Sequence, residues 1–222
     1  MEELAATYLT NPVRVAVNPP GQAAKKIDQG VHFVSQGDKA TLLAEYLSKH
    51  IGELAIVFGR TKHGSDKLAR LLEKWGFSVA AIHGNKSQGQ RERALEAFRK
   101  GQTQVLVATD VAARGLDIPE VAHVYNYDLP NVPDNYIHRI GRTARAGRDG
   151  RAVAFCAPAE IDELCAIEKT MKTSIPVIGG EAPPAQATSS RAAKGRPARP
   201  NGGNARPARR PSRKPAGQRS NA

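Results

Sequence analysis

The sequence predicts an α/β fold, a mostly parallel sheet with helices on both faces, followed by a disordered C-terminal tail. Three observations predict it. Short apolar, β-branched runs recur about every two dozen residues. Amphipathic helical patterns separate most of them. Glycines stand where those helices should end.

Residues 1–30 read as a connector. Asn11-Pro12 and Asn18-Pro19-Pro20-Gly21 break any long element, and only Val13–Val17 suggests a short strand. Strands are then expected at Val31–Val34, Leu54–Phe58, Ser78–Ile82, Val105–Ala108, Val121–Tyr125 and Ala152–Cys156. Helices are expected at Lys39–His50, Ser65–Trp75, Gln88–Lys100 and Glu160–Met171. Leu68, Leu71, Leu72 and Trp75 trace one buried helix face. Gly52, Gly76 and Gly101 sit at C-cap positions. The pattern implies βαβ units and one α/β domain over 31–178. Over 179–222 Ala, Pro, Gly, Ser, Asn and Arg take over. Such a segment buries too little apolar surface to offset its ordering entropy, so it is expected to be a disordered basic tail.

The formal charge of +12 is unevenly placed. From Glu181 onward there are ten Lys or Arg and one acid, against 23 Lys or Arg and 20 acids before it. A nearly balanced body with a basic arm points to nucleic acid as partner. Cys156 and Cys165 have no metal-ligand spacing and read as ordinary buried thiols of a reducing compartment. Met1-Glu2-Glu3 lacks the order of a signal peptide, and no apolar run approaches a membrane span. A soluble, cytoplasmic protein with no membrane partner and no metal ligands of its own is expected.

In sheets of this kind ligands bind at loops beyond the carboxyl ends of strands. After Phe58 comes Gly59-Arg60-Thr61-Lys62, suited either to phosphate or to a plain helix cap by Thr61. After Ile82 comes His83-Gly84, then Ser87 as a candidate N-cap, with Gln90 and Arg93 on the first turn. After Ala108 comes Thr109-Asp110-Val111-Ala112-Ala113-Arg114-Gly115-Leu116-Asp117, a compact turn rich in polar groups. Finally, Tyr136–Arg145 holds three arginines and a histidine. Were it helical throughout, His138, Arg142 and Arg145 would share one face, flanked by Arg139. Such a face suits a polyphosphate, although a solvated basic helix has the same composition.

Taken in order, these four segments resemble motifs IV, IVa, V and VI of the second RecA-like domain of DEAD-box RNA helicases, with the bacterial RhlE-type group the most similar. The resemblance runs from about Ala5 to Pro176. It implies a RecA-like (P-loop NTPase-like) three-layer sandwich. It implies that Arg142 and Arg145 reach the ATP γ-phosphate, that His138 links the nucleotide site to the partner domain, and that Asp117 contacts the ribose. Arg60, Thr61, Gly84, Gln90, Arg93 and Thr109 resemble RNA-backbone positions, and Arg114 a coupling residue. Ala144 stands where many members have Gly, and its methyl is expected to be tolerated.

The chain has no Gly-x-x-x-x-Gly-Lys-[Ser/Thr] loop and no Asp-Glu-Ala-Asp segment. Asp162-Glu163-Leu164-Cys165 reads as a helix surface. By the family pattern, most of the ATP contacts and the Mg²⁺ belong to an N-terminal RecA-like domain that should precede Met1. The expected function is the second motor domain of an ATP-dependent RNA helicase. The alternatives are a stand-alone, non-catalytic RNA-binding or annealing module and a DNA-directed helicase.

Overall fold

The computed structural model describes residues 27–114, 118, 121–144 and 149–182. All of them lie in one compact unit, Met1–Ala185. The expected strand Val13–Val17, the basic tail, Asp117 and Arg145 fall outside the described residues.

The elements in order are β1 (Ile27–Phe33), α1 (Lys39–Lys49), β2 (Ala55–Phe58), α2 (Lys62–Lys74), β3 (Val79–Ile82), α3 (Gln88–Arg99), β4 (Val105–Ala108) and α4 (Asp110–Ala113). Then come β5 (His123–Asn126), α5 (Pro133–Ile140), β6 (Gly150–Cys156), a 3₁₀ turn (Pro158–Glu160), α6 (Ile161–Met171) and β7 (Val177–Gly179). The strands form one seven-stranded sheet in the order β3-β4-β2-β5-β6-β1-β7, and its strands pair in parallel among the described residues.

Strand alternation sends the core to both faces. Ile56, Phe58, Leu106, Ala108, Val124, Ala152 and Ala154 face one side and pack with α3, α5 and α6 through Leu95, Phe98, Tyr136, Ile140, Leu164 and Ile167. Ala55, Val57, Val105, Val107, Tyr125, Val153 and Phe155 face the other and pack with α1 and α2 through Leu43, Leu47, Leu68 and Leu72. This is the expected three-layer sandwich. Buried on both faces, the central strands must be apolar at every position, as β2 and β4 are.

Several elements differ from expectation. β1 begins at Ile27, within the segment read as connector, because all seven of its residues pair with β6. β7 was not expected. It is three residues long, follows Pro176, and is recruited by the β1 edge, where Val31 N donates to the Pro176 carbonyl at 2.8 Å. The condition that Tyr136–Arg145 be helical throughout is not met, since the helix runs from Pro133 to Ile140 with Gly141 as C-cap. His138 and Arg142 therefore do not share a helical face. Cys156 is buried, and burial pushes its thiol up to about 12, as expected for an inert core cysteine. Cys165, expected to be buried, is exposed on α6. Gly76 and Gly101, each directly after a helix C-cap, and Gly52, two residues past the C-cap His50, have φ of 91°, 70° and 93°, the left-handed region that favours glycine. Among the described residues, no helix is long and apolar enough to cross a membrane.

Candidate nucleotide and nucleic-acid site

All the parallel strands end on one edge, so the four signature loops are brought together there. The loop after β2 starts α2 through Thr61, whose Oγ accepts from Gly64 N at 3.0 Å. Arg60 turns inward. Its backbone N donates to Asp128 Oδ2 at 2.8 Å. Its guanidinium donates to the Leu129 carbonyl and to Glu160 Oε1, both at 3.1 Å, and lies 3.4 Å from Glu163 Oε1. The side chain is 37% exposed, so one flank still faces outward while the fork is occupied by acids.

The loop after β3 is organised by His83, 1% exposed. Asn85 N donates to its Nδ1 at 3.3 Å, and its Nε2 lies 2.8 Å from Asp66 Oδ1. Lys86 joins the same carboxylate at 3.0 Å. Burial acts to raise the Asp66 carboxyl, but its His83 and Lys86 hydrogen bonds outweigh that and hold it below its ordinary value. A Cβ added at Gly84 would meet nothing within 4 Å, and its φ is not positive. Neither local strain nor crowding within the fold calls for glycine there. Open space over the backbone is what its absent side chain provides. α3 then starts with a reciprocal capping box. Gln90 N donates to Ser87 Oγ at 3.3 Å, and Ser87 N to Gln90 Oε1 at 2.9 Å. Gln90 thus spends its carbonyl on the cap, while Arg93 is exposed on the same turn.

The loops are tied to one another. Lys62 Nζ donates to Asn85 Oδ1 at 3.0 Å, and the Arg91 guanidinium to the Ala112 carbonyl at 3.1 Å. Thr109, 8% exposed, donates its N–H to the Ile82 carbonyl at 3.3 Å, joining the ends of β3 and β4.

At the centre lies Arg139, 2% exposed. Its Nε and a terminal nitrogen donate to the two oxygens of Asp110 at 2.6 and 2.7 Å, the bidentate fork geometry. The other terminal nitrogen donates to Asn126 Oδ1 at 3.1 Å and to the Asp128 carbonyl at 2.7 Å. The group lies 5.0 Å over the Phe58 ring. It clamps the ends of β2 and β5 to α4 and α5. Sequence reasoning placed Arg139 only on the flank of a basic face. A signal was present: with Tyr136 and Ile140 it completes an i, i+3, i+4 stripe, and all three are buried. Sequence reasoning also missed Lys39, fully buried at the start of α1. It donates to the Tyr127 carbonyl at 2.8 Å, pairs with Glu160, and lies 3.7 Å from Asp128.

Beside this clamp lies a cavity of about 320 Å³, lined by Phe58, Asp110, Arg114, His138, Arg139 and Arg142, among others. It brings together three of the predicted residues, Arg114, His138 and Arg142. Arg114 donates to Asn135 Oδ1 at 3.1 Å, and His138 is exposed. Arg142 sits in the turn after α5, where Val121 N donates to its carbonyl at 3.2 Å and Arg142 N donates to the Arg139 carbonyl at 3.1 Å. Arg60 and Thr61 line a different, open groove with Lys67, Tyr127 and Glu160. Ala144, whose methyl was expected to be tolerated, has φ of 57°. A side chain there is strained by about 1 kcal/mol, the physical reason for glycine at this position.

Comparison with known proteins identifies the family of the domain. Residues 38–147 match the family described as the helicase conserved C-terminal domain. The chain is 46% identical over 172 residues to the DEAD-box ATP-dependent RNA helicase CshA of Bacillus licheniformis, covering 78% of this chain and 35% of that protein. It is 45% identical over 177 residues to the ATP-dependent RNA helicase RhlB of Shewanella sp. strain MR-4, covering 80% and 40%. It thus spans well under half the length of these curated relatives. Among solved structures, the E. coli DEAD-box protein SrmB, bound to regulator of ribonuclease activity A, is 37% identical with a TM-score of 0.65, covering 72% of this chain and 93% of that one. S. cerevisiae Dbp5, bound to RNA and ADP BeF3, is 31% identical with a TM-score of 0.69, covering 80% and 48%. The chain belongs to the DEAD-box ATP-dependent RNA helicase family and carries its conserved C-terminal domain.

Proposed function

We propose that this chain is the second motor domain of an ATP-dependent RNA helicase, and that it completes an ATPase site only when RNA draws it against a first RecA-like domain. The observation that carries the reading is the single cavity holding Arg114, His138 and Arg142 beside the Asp110–Arg139 clamp. Arg142, with Arg145, would neutralise charge developing on the terminal phosphoryl group, the role of an arginine finger. His138, exposed at the rim, would touch the partner domain, and Asp117 the ribose. Arg114 would couple the nucleotide to RNA held by Gly84, Gln90, Arg93, Thr61 and Thr109. Arg60 fits less directly, because Glu160 and Glu163 hold its fork, and its exposed flank is what faces RNA. Such backbone contacts make recognition largely independent of sequence. A bent strand in the closed cleft would separate a duplex locally.

The cavity does not fit Mg²⁺ on its own. Among the described residues lining it, the one carboxylate, Asp110, is claimed by Arg139. The metal and most of the nucleotide are therefore assigned to the first domain. Dbp5, a relative with the same fold, is described bound to RNA and ADP BeF3, which supports both ligands. The basic arm beyond Glu181 is read as an RNA tether, and its composition is what suggests an RhlE-type member. A cytoplasmic location follows from the same reading.

The test is Arg142→Ala in the full-length enzyme. RNA-stimulated ATP hydrolysis should fall by on the order of 10³ with RNA affinity nearly unchanged. Equal loss of both would overturn the role given to Arg142.

A further inference from the structure

At the opposite edge of the sheet, where the strands begin, three potential ligands converge. His50 is the C-cap of α1, Glu53 lies in the turn before β2, and His123 opens β5. Each offers a donor atom, and all three donors lie within 4.8 Å of one another. No other group of three or more His, Cys, Asp or Glu side chains among the described residues meets that criterion.

The backbone holds the three in place. Glu53 N donates to the His50 carbonyl at 3.2 Å across a turn that passes through Gly52 with φ of 93°. His123 N donates to the Leu54 carbonyl at 3.3 Å, which fixes β5 beside that turn. His123 Nε2 lies 2.5 Å from Glu53 Oε2, and His50 Nδ1 lies 3.9 Å from Glu53 Oε1. The two imidazole rings are 4.1 Å apart, centroid to centroid. The His123 side chain is 7% exposed, and its Nδ1 is buried without a hydrogen-bond partner. This ring is kept in a nearly dry position by stacking and one carboxylate alone. His50 and Glu53 are 25% and 51% exposed, so solvent reaches the cluster from outside.

We propose that His50, Glu53 and His123 form a binding site for one borderline divalent transition ion, Zn²⁺ foremost, with water as the fourth ligand. Two imidazoles and a carboxylate are a known donor set for Zn²⁺, at ligand distances near 2.0–2.2 Å that place donors about 3.3 Å apart. The cluster reaches this spacing by small movements. The Glu53–His123 contact opens slightly, and His50, the more exposed imidazole, swings in. Held there, the ion clips the end of α1 to the start of β5, on the edge remote from the nucleotide cavity. The site is independent of the helicase reading.

The experiment is calorimetric titration of Zn²⁺ into the chelator-stripped chain, carrying no polyhistidine tag, with thermal unfolding read in parallel. One equivalent should bind and raise Tm. His50→Gln and Glu53→Gln are surface changes that leave the fold intact. Each should weaken binding at least tenfold and abolish the Tm rise. His63→Gln, on α2, should change neither. Absence of saturable binding overturns the proposal, and so does binding that survives both His50→Gln and Glu53→Gln or is lost in His63→Gln.

Discussion

Arg139→Met separates scaffold from chemistry in the arginine-rich motif. Methionine keeps the length and the packing on Phe58 and removes the charge. Asp110 then loses two charge-assisted hydrogen bonds, and Asn126 Oδ1 and the Asp128 carbonyl each lose a donor. Breaking a buried ion pair on one side costs about 3–5 kcal/mol. Asp110 is 24% exposed and regains some water, so the lower end, about 3 kcal/mol, is expected. With a urea slope of about 2 kcal/mol/M, the unfolding midpoint should fall by about 1.5 M. Far-UV circular dichroism of this chain in urea measures it. Adding Asp110→Leu should recover part of the loss, because replacing both partners by apolar groups removes the stranded carboxylate. A midpoint shift below about 0.5 M for Arg139→Met would refute the clamp.

Four further outcomes are expected. Ala144→Gly should stabilise the chain by about 1 kcal/mol, read by thermal unfolding, since glycine relieves the φ of 57°. Gly84→Val should leave stability within about 1 kcal/mol yet weaken RNA binding by the full-length enzyme, because the side chain fills space the fold leaves open. Asp66 is depressed below its ordinary 3.8 in the folded state, so it contributes stability above that pH and loses it as pH falls through the folded value. Asp66→Asn should therefore lower the neutral plateau of the stability curve and flatten its acid limb, so that variant and parent converge at low pH. Deleting Glu181–Ala222 removes ten basic residues and should reduce both RNA affinity at low salt and the steepness of its salt dependence.

Continuous apolar, β-branched runs and period-3.6 patterns were enough to read β2, β3 and β4 within a residue, and α1 and α3 nearly end to end. Those segments are buried on whole faces, so burial writes itself into their composition. β7 left no such trace. Its Val177 and Ile178 are exposed, and only the free edge of β1 makes a strand of them. The motif residues were legible as types, but not their division of labour. Arg139 and Arg142 are three residues apart and chemically identical. One is 2% exposed under four hydrogen bonds, while the other lines the cavity. Helix termination at Ile140, with Gly141 as C-cap, and an Asp110 supplied from another loop decide that.

By itself the sequence determined the α/β layering, the four signature loops and the placement of charge in the tail, because each depends on residues near one another in the chain. Tertiary structure alone decided which polar groups meet. His50 and Glu53 find His123 some seventy positions on, and Lys39 finds Glu160 across the sheet. Such pairings depend on strand order, β5 beside β2 and β6 between β5 and β1, which no local pattern encodes.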